Sequence, residues 1–137
     1  MKTHYIFPAV FEYDQPDNIV VFFPDLPGCI SVGENTEDAL RMAKEALSLH
    51  LYGMEQDDNK IPSPSNPEDI ELDQNNLEIV MVEVWMTPIR EYMEKSITKT
   101  VTIPLWLNDA AEKHKLNFPQ ILQSGLKDKL SLLDETK

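Results

Sequence analysis

The chain has one cysteine, four glycines and three histidines in 137 residues, and each scarcity removes a class of chemistry. Cys29 alone forms no intrachain disulfide, which agrees with a reducing compartment. As a small hydrophobe beside a turn it needs no further role. His4, His50 and His114 fall in different expected elements, with Cys29 in a fourth, so no zinc-ligand spacing is present. There is no Gly-rich phosphate loop and no serine in a nucleophile elbow, which leaves nucleotide hydrolysis and acyl transfer without support. Long apolar runs are missing as well. Ile19 to Phe23 and Ile79 to Met81 are far shorter than the ~20 residues that cross a bilayer. Pro8 and Glu12 interrupt the amino terminus where a signal peptide would be apolar, so the expectation is a cytoplasmic protein without membrane contact. No cofactor is expected.

Positive charge is also scarce, but only over part of the chain. Residues 1 to 94 hold 5 Lys or Arg against 19 Asp or Glu, a net of -14, whereas residues 95 to 137 hold 7 against 5, a net of +2. The acidity therefore belongs to one module. An acidic face seeks a basic partner, and a short Lys-bearing module is what a phosphate backbone attracts. With 42% hydrophobic residues, the chain can build one core of about 90 to 100 residues plus a small appendage. A large multi-domain enzyme is excluded.

Tyr5, Phe7, Ala9, Phe11 and Tyr13 recur at period two, and Asp14 to Asn18 supplies turn chemistry before Ile19 to Phe23, so a β-hairpin is predicted. Pro24, Pro27 and Gly28 force a rigid turn, after which Cys29 to Gly33 forms a third strand. Asn35 or Thr36 caps a helix whose apolar face is Leu40, Ala43, Leu47, Leu51 and Met54. Asp57 to Asn76, with Pro62, Pro64 and Pro67, reads as a semi-extended connection. Leu77 to Trp85 returns to β-rich sequence, with Trp85 available to the core, and Thr87 to Ser96 reads as a hinge. The first module is thus α+β, one sheet covered by one main helix.

The second module begins with a strand, Lys99 to Pro104, in which Val101 and Ile103 face one way and Thr98, Thr100 and Thr102 the other. A helix through Leu107 to Lys115, capped by Asn108, and a second from Asn117 carrying Ile121, Leu122, Leu126, Leu130 and Leu133 complete it. A lone strand leaves its backbone unpaired, and roughly 40 residues seldom bury enough surface to stand alone. Two copies pairing Ile97 to Ile103 antiparallel over four helices meet both demands, so a two-fold dimer is expected, with Val101, Ile103, Ile121 and Leu122 at its interface.

This carboxy-terminal pattern resembles the ribbon-helix-helix DNA-binding fold. The stretch Phe23-Pro24-Asp25-Leu26-Pro27-Gly28-Cys29, followed by Thr36-Glu37-Asp38-Ala39-Leu40 and by Ile61-Pro62-Ser63-Pro64, resembles the HicB antitoxin family. The resemblance implies a toxin-binding domain over residues 1 to 90 with a partial ribonuclease-H-like β-β-β-α-β fold. It implies a ribbon-helix-helix β-α-α domain over residues 95 to 137 for dimerisation and DNA binding. The partners implied are a HicA-like basic toxin, masked by the first domain, and the operator DNA of the toxin-antitoxin operon. A homodimer through the second domain would join the toxin in a higher hetero-oligomer.

Under this resemblance the operator contacts fall on Thr98, Thr100 and Thr102, whose hydroxyls and methyls suit base edges in a major groove, with Lys95 and Lys99 adding charge and the helix start at Asn117 meeting a phosphate. The toxin contacts fall on Asp25 of the turn and on Asp57, Asp58, Glu68 and Asp69 of the acidic connection. Catalysis is not required. Two alternatives remain: a ribbon-helix-helix regulator whose first domain senses a small ligand, and a residual metal-dependent nuclease using Glu12, Asp14, Asp17 and Asp25.

Overall fold

The computed structural model describes residues 1–135. The chain divides into two compact units, Met1–Ser96 and Ile97–Lys137.

In the first unit, strand β1 (His4–Gln15) pairs antiparallel with β2 (Asn18–Phe22) across the Pro16-Asp17 turn, with Val10 opposite Phe22 and a register shift between Tyr13 and Gln15. Strand β3 (Ile30–Gly33) continues the sheet beyond β2, and β4 (Leu77–Trp85) lies on the other side of β1, giving the order β3-β2-β1-β4. Tyr5, Phe7, Ala9 and Phe11 all point to one face and are buried there with Ile19, Val21, Val82 and Val84. The period-two pattern thus marks the core face. The opposite face is apolar too: Val10 and Pro8 are buried, while Ile6, Ile30, Val32 and Met81 stay exposed.

Helix α1 (Thr36–Gln56) covers the core face. Of the two expected caps the structure uses Asn35, whose side chain accepts from the Asp38 N–H at 2.8 Å. The Asp38 carboxylate in turn accepts from the Glu34 N–H at 2.9 Å, closing the first turn from both sides. That hydrogen bond, followed by the Arg41 guanidinium, holds Asp38 below the usual carboxylate range. The buried helix positions are Ala39, Ala43, Leu47, Ser48 and Leu51. Leu40, expected on this face, is exposed. Ala39 takes that place, facing Gly33, where an added Cβ would lie 2.4 Å from the Ala39 backbone and a large side chain between helix and strand has no room.

Two further expectations change. Trp85 is exposed and stacks on His4, with ring centroids 4.0 Å apart, instead of entering the core. The stretch read as a hinge contains helix α2 (Met86–Glu94), which packs on α1. Pro88 is its third residue, where the backbone N–H has no intrahelical partner to lose. Residues 57–76 run largely without regular structure, with a single 3₁₀ turn at Pro67–Asp69.

In the second unit, α3 (Leu105–Lys113) starts at Pro104, so Asn108 lies inside the helix and does not cap it. Helix α4 (Phe118–Glu135) follows, capped by the Asn117 side chain, which accepts from the Gln120 N–H at 3.0 Å. Residues 95–104 form no strand in the single chain. A strand needs a neighbour to receive its hydrogen bonds, and one copy supplies none.

Candidate functional site

The sequence-predicted residues of the two units fall into very different settings. Asp25 sits in the turn between β2 and β3, where its carboxylate accepts from the Ser65 N–H at 2.9 Å and from the Ser65 hydroxyl. Its position ties the long connection to the turn. Asp57 and Asp58 lie at the end of α1, and Asp58 adopts a left-handed backbone with φ 54° that lets the Asn59 N–H reach the Met54 carbonyl at 2.9 Å. Asp25 and Asp57 share a cleft of about 690 Å³ with Leu49, His50 and Met54, while Asp58 lines a neighbouring cleft of about 510 Å³ beside Lys2 and Tyr5. Glu68 and Asp69 are exposed in the 3₁₀ turn and line neither cleft.

Glu12, Asp14, Asp17 and Asp25 are not gathered. Among the described residues no three His, Cys, Asp or Glu side chains converge as metal ligands. Cys29 is buried, and burial pushes its thiol up to about 11.

One buried ion pair escaped the sequence reading. The Arg90 guanidinium grips Glu55 through Nε at 2.9 Å and Nη2 at 2.9 Å, and Nη2 also donates to the Lys2 carbonyl at 2.6 Å. Side-chain exposure is 16% for Arg90 and 6% for Glu55, so α1, α2 and the segment leading into β1 are tied at one point. The hydrogen bond to Glu55 raises the Arg90 pKa, and burial followed by the Glu55 charge raises that of Tyr5. A distant Arg-Glu pair leaves no local pattern to read.

Among the described residues of the second unit none is buried. Val101, Ile103, Ile121 and Leu122, the expected interface, are exposed together with Leu126 and Leu130. Thr98, Lys99, Thr100 and Thr102 are all exposed in the extended segment, and Lys95 ends α2, its N–H donating to the Glu91 carbonyl at 3.1 Å. At the start of α4, Pro119 has no N–H, Gln120 donates to the Asn117 side chain, and Ile121 donates to the Asn117 carbonyl. A phosphate there would meet chiefly the Phe118 N–H, a narrower seat than the sequence suggests.

The model of the HicB-like antitoxin of bacterial toxin-antitoxin systems matches residues 7–123, spanning both units. The chain belongs to the HicB-like antitoxin family. It is 36% identical over 91 residues to an uncharacterised protein of Haemophilus phage HP1, covering 66% of this chain and 68% of that one. It is 35% identical over 65 residues to Antitoxin HicB 2 of Photorhabdus laumondii, a match that covers 47% of this chain and 46% of the relative. Among solved structures, a toxin-antitoxin complex from Streptococcus pneumoniae has a chain with 28% identity and a TM-score of 0.68, covering 92% of this chain and 99% of that one. This HicB-like antitoxin therefore shares its α+β fold over nearly its whole length.

Proposed function

We propose that the chain neutralises a HicA-like mRNA-cleaving toxin by covering its active face with the first unit, and represses its own operon by binding operator DNA as a ribbon-helix-helix dimer of the second. The observation that carries this reading is a coincidence of boundaries. The charge changes sign after residue 94, and the division between the two units falls between Ser96 and Ile97. A toxin that handles RNA must present cations, and residues 1–94, at -14, compete for them through a complementary field. The first unit, β-β-β-α-β with α2 added, is in this reading a partial ribonuclease-H-like mask.

The second unit supports dimerisation by what it lacks, a buried residue of its own among those described. Pairing two copies of residues 97–103 as an antiparallel ribbon would satisfy the backbone, cover Val101 and Ile103, and turn Thr98, Thr100 and Thr102 toward a major groove. At +2 per copy over residues 95–137 the contact depends on doubling and on salt, each neutralised phosphate adding about -0.9 to the log-log slope.

The operator test is a gel-shift titration of Thr100→Ala with Thr102→Ala. Loss of roughly tenfold or more in operator affinity, with toxin binding unchanged, is expected. Unchanged operator affinity removes the threonines from the DNA contact.

A further inference from the structure

The acidic surface of the first unit does not by itself make an anchor. Exposed carboxylates speed association but add little to a lifetime, because each stays solvated and screened. Interface energy concentrates in a few Trp, Tyr and Arg side chains near apolar pockets. The first unit has a place that fits this description, with Trp85 and Tyr92 outside the acidic connection.

Between α1, α2 and the outer strand β4 lies a cleft of about 380 Å³, with buried Val84 and Ser48 at its floor. The Ser48 hydroxyl donates to the Lys44 carbonyl at 2.8 Å, so its polarity is satisfied within α1. Leu49, Trp85, Tyr92 and Met93 form the walls. All four are exposed, Tyr92 to 79% and Trp85 to 57%. Such a concentration of large apolar side chains is what a protein partner covers.

Charge around the cleft selects the partner. Glu45 and Glu83 line it against the single cation Lys44, and Glu91 and Glu94 flank Tyr92 and Met93 on α2. A second copy of the acidic unit would bring like charge to this rim, whereas a basic protein brings the opposite sign. We propose that the cleft is the anchor site for the basic toxin, resting on the masking reading above. A toxin aliphatic or aromatic side chain seats against Trp85, Tyr92 and Met93, and neighbouring toxin cations pair with Glu45, while Glu83, whose carboxylate lies 3.1 Å from His4 Nε2, adds to the field. The acids of residues 57–69 then steer the encounter without holding it.

The test uses the full chain and, as probe, a small basic HicA-type protein made inactive by substitution in its active site. Association and dissociation rates are measured at two salt concentrations. Tyr92→Ala with Met93→Ala is expected to speed dissociation about tenfold or more while association changes little. Trp85→Ala, on β4 instead of α2, is expected to do the same. Neutralising Asp57, Asp58, Glu68 and Asp69 together is expected to slow association and flatten its salt dependence, with dissociation within about twofold. If the wild type binds the probe and the cleft variants dissociate no faster, the anchor is elsewhere and the masking reading survives. If the wild type fails to bind at low salt, both fall. A changed sedimentation mass of the cleft variants without toxin assigns the cleft to a second copy and overturns the proposal.

Discussion

Asp58 and Lys115 occupy left-handed backbone, at φ 54° and 55°, just beyond the ends of α1 and α3. Both positions belong to helix-ending motifs in which the next N–H bonds back five residues, Asn59 to Met54 and Leu116 to Ala111. Glycine is the usual occupant because a Cβ there costs about 1 kcal/mol. Asp58→Gly is therefore expected to stabilise the first unit by ~0.5–1 kcal/mol, read as a higher urea midpoint, and it also removes a carboxylate from the negative end of α1. A second residue-scale expectation concerns Cys29, whose folded thiol is pushed up to about 11 by burial. Above the ordinary thiol range, near 8.5, the unfolded chain gives up this proton while the folded chain keeps it. The Cys29 contribution is fully present below that range and is lost as pH rises toward about 11. Urea midpoints between about pH 8 and 10.5 should fall more steeply for the wild type than for Cys29→Ala. Parallel slopes would show that the thiol ionises in the folded protein. The rigid turn around Gly28 is legible in sequence because proline and glycine carry their own dihedral preferences; Asp58 is not, since nothing in an Asp-Asp-Asn stretch marks which residue turns left-handed.

At the scale of elements, β4 was legible to the residue because its run is rich in residues that favour strands, and the β1-β2 hairpin because turn residues separate two apolar runs. The α1 face was displaced from Ala39 to Leu40 by ranking residues on hydrophobicity, where the structure selects on size against Gly33. Helix α2 was hidden because Pro88 reads as a breaker unless its place in the first turn is known. That omission also hid Tyr92, Met93 and Arg90. The Arg90–Glu55 pair supplies the element-scale prediction. Arg90→Met leaves Glu55 buried without its partner and is expected to cost about 3 kcal/mol in chemical denaturation at neutral pH. Changing Glu55→Met as well should recover most of that loss, since two apolar side chains replace two desolvated charges. Equal destabilisation in the single and double variants would mean that packing, not the uncompensated carboxylate, dominates.

For the whole molecule, two units of opposite charge are joined near Ser96, and the second exposes the apolar residues expected to join it to another copy. The charge division was legible because net charge adds up without knowledge of the fold. The acidic candidates Asp25, Asp57, Asp58, Glu68 and Asp69 were chosen on charge alone, and the structure spreads them over a tied turn, a helix end and an exposed 3₁₀ turn. In the proposed reading, the acidic unit attracts a basic toxin and the apolar cleft beside α2 turns that attraction into a lasting mask. The central claim is that this chain switches off a basic ribonuclease by binding it. It is tested most directly by titrating the full chain into a HicA-type toxin cleaving RNA at low ionic strength. Cleavage should fall in proportion to added chain and cease once the toxin is saturated. Undiminished cleavage in excess antitoxin would contradict the account.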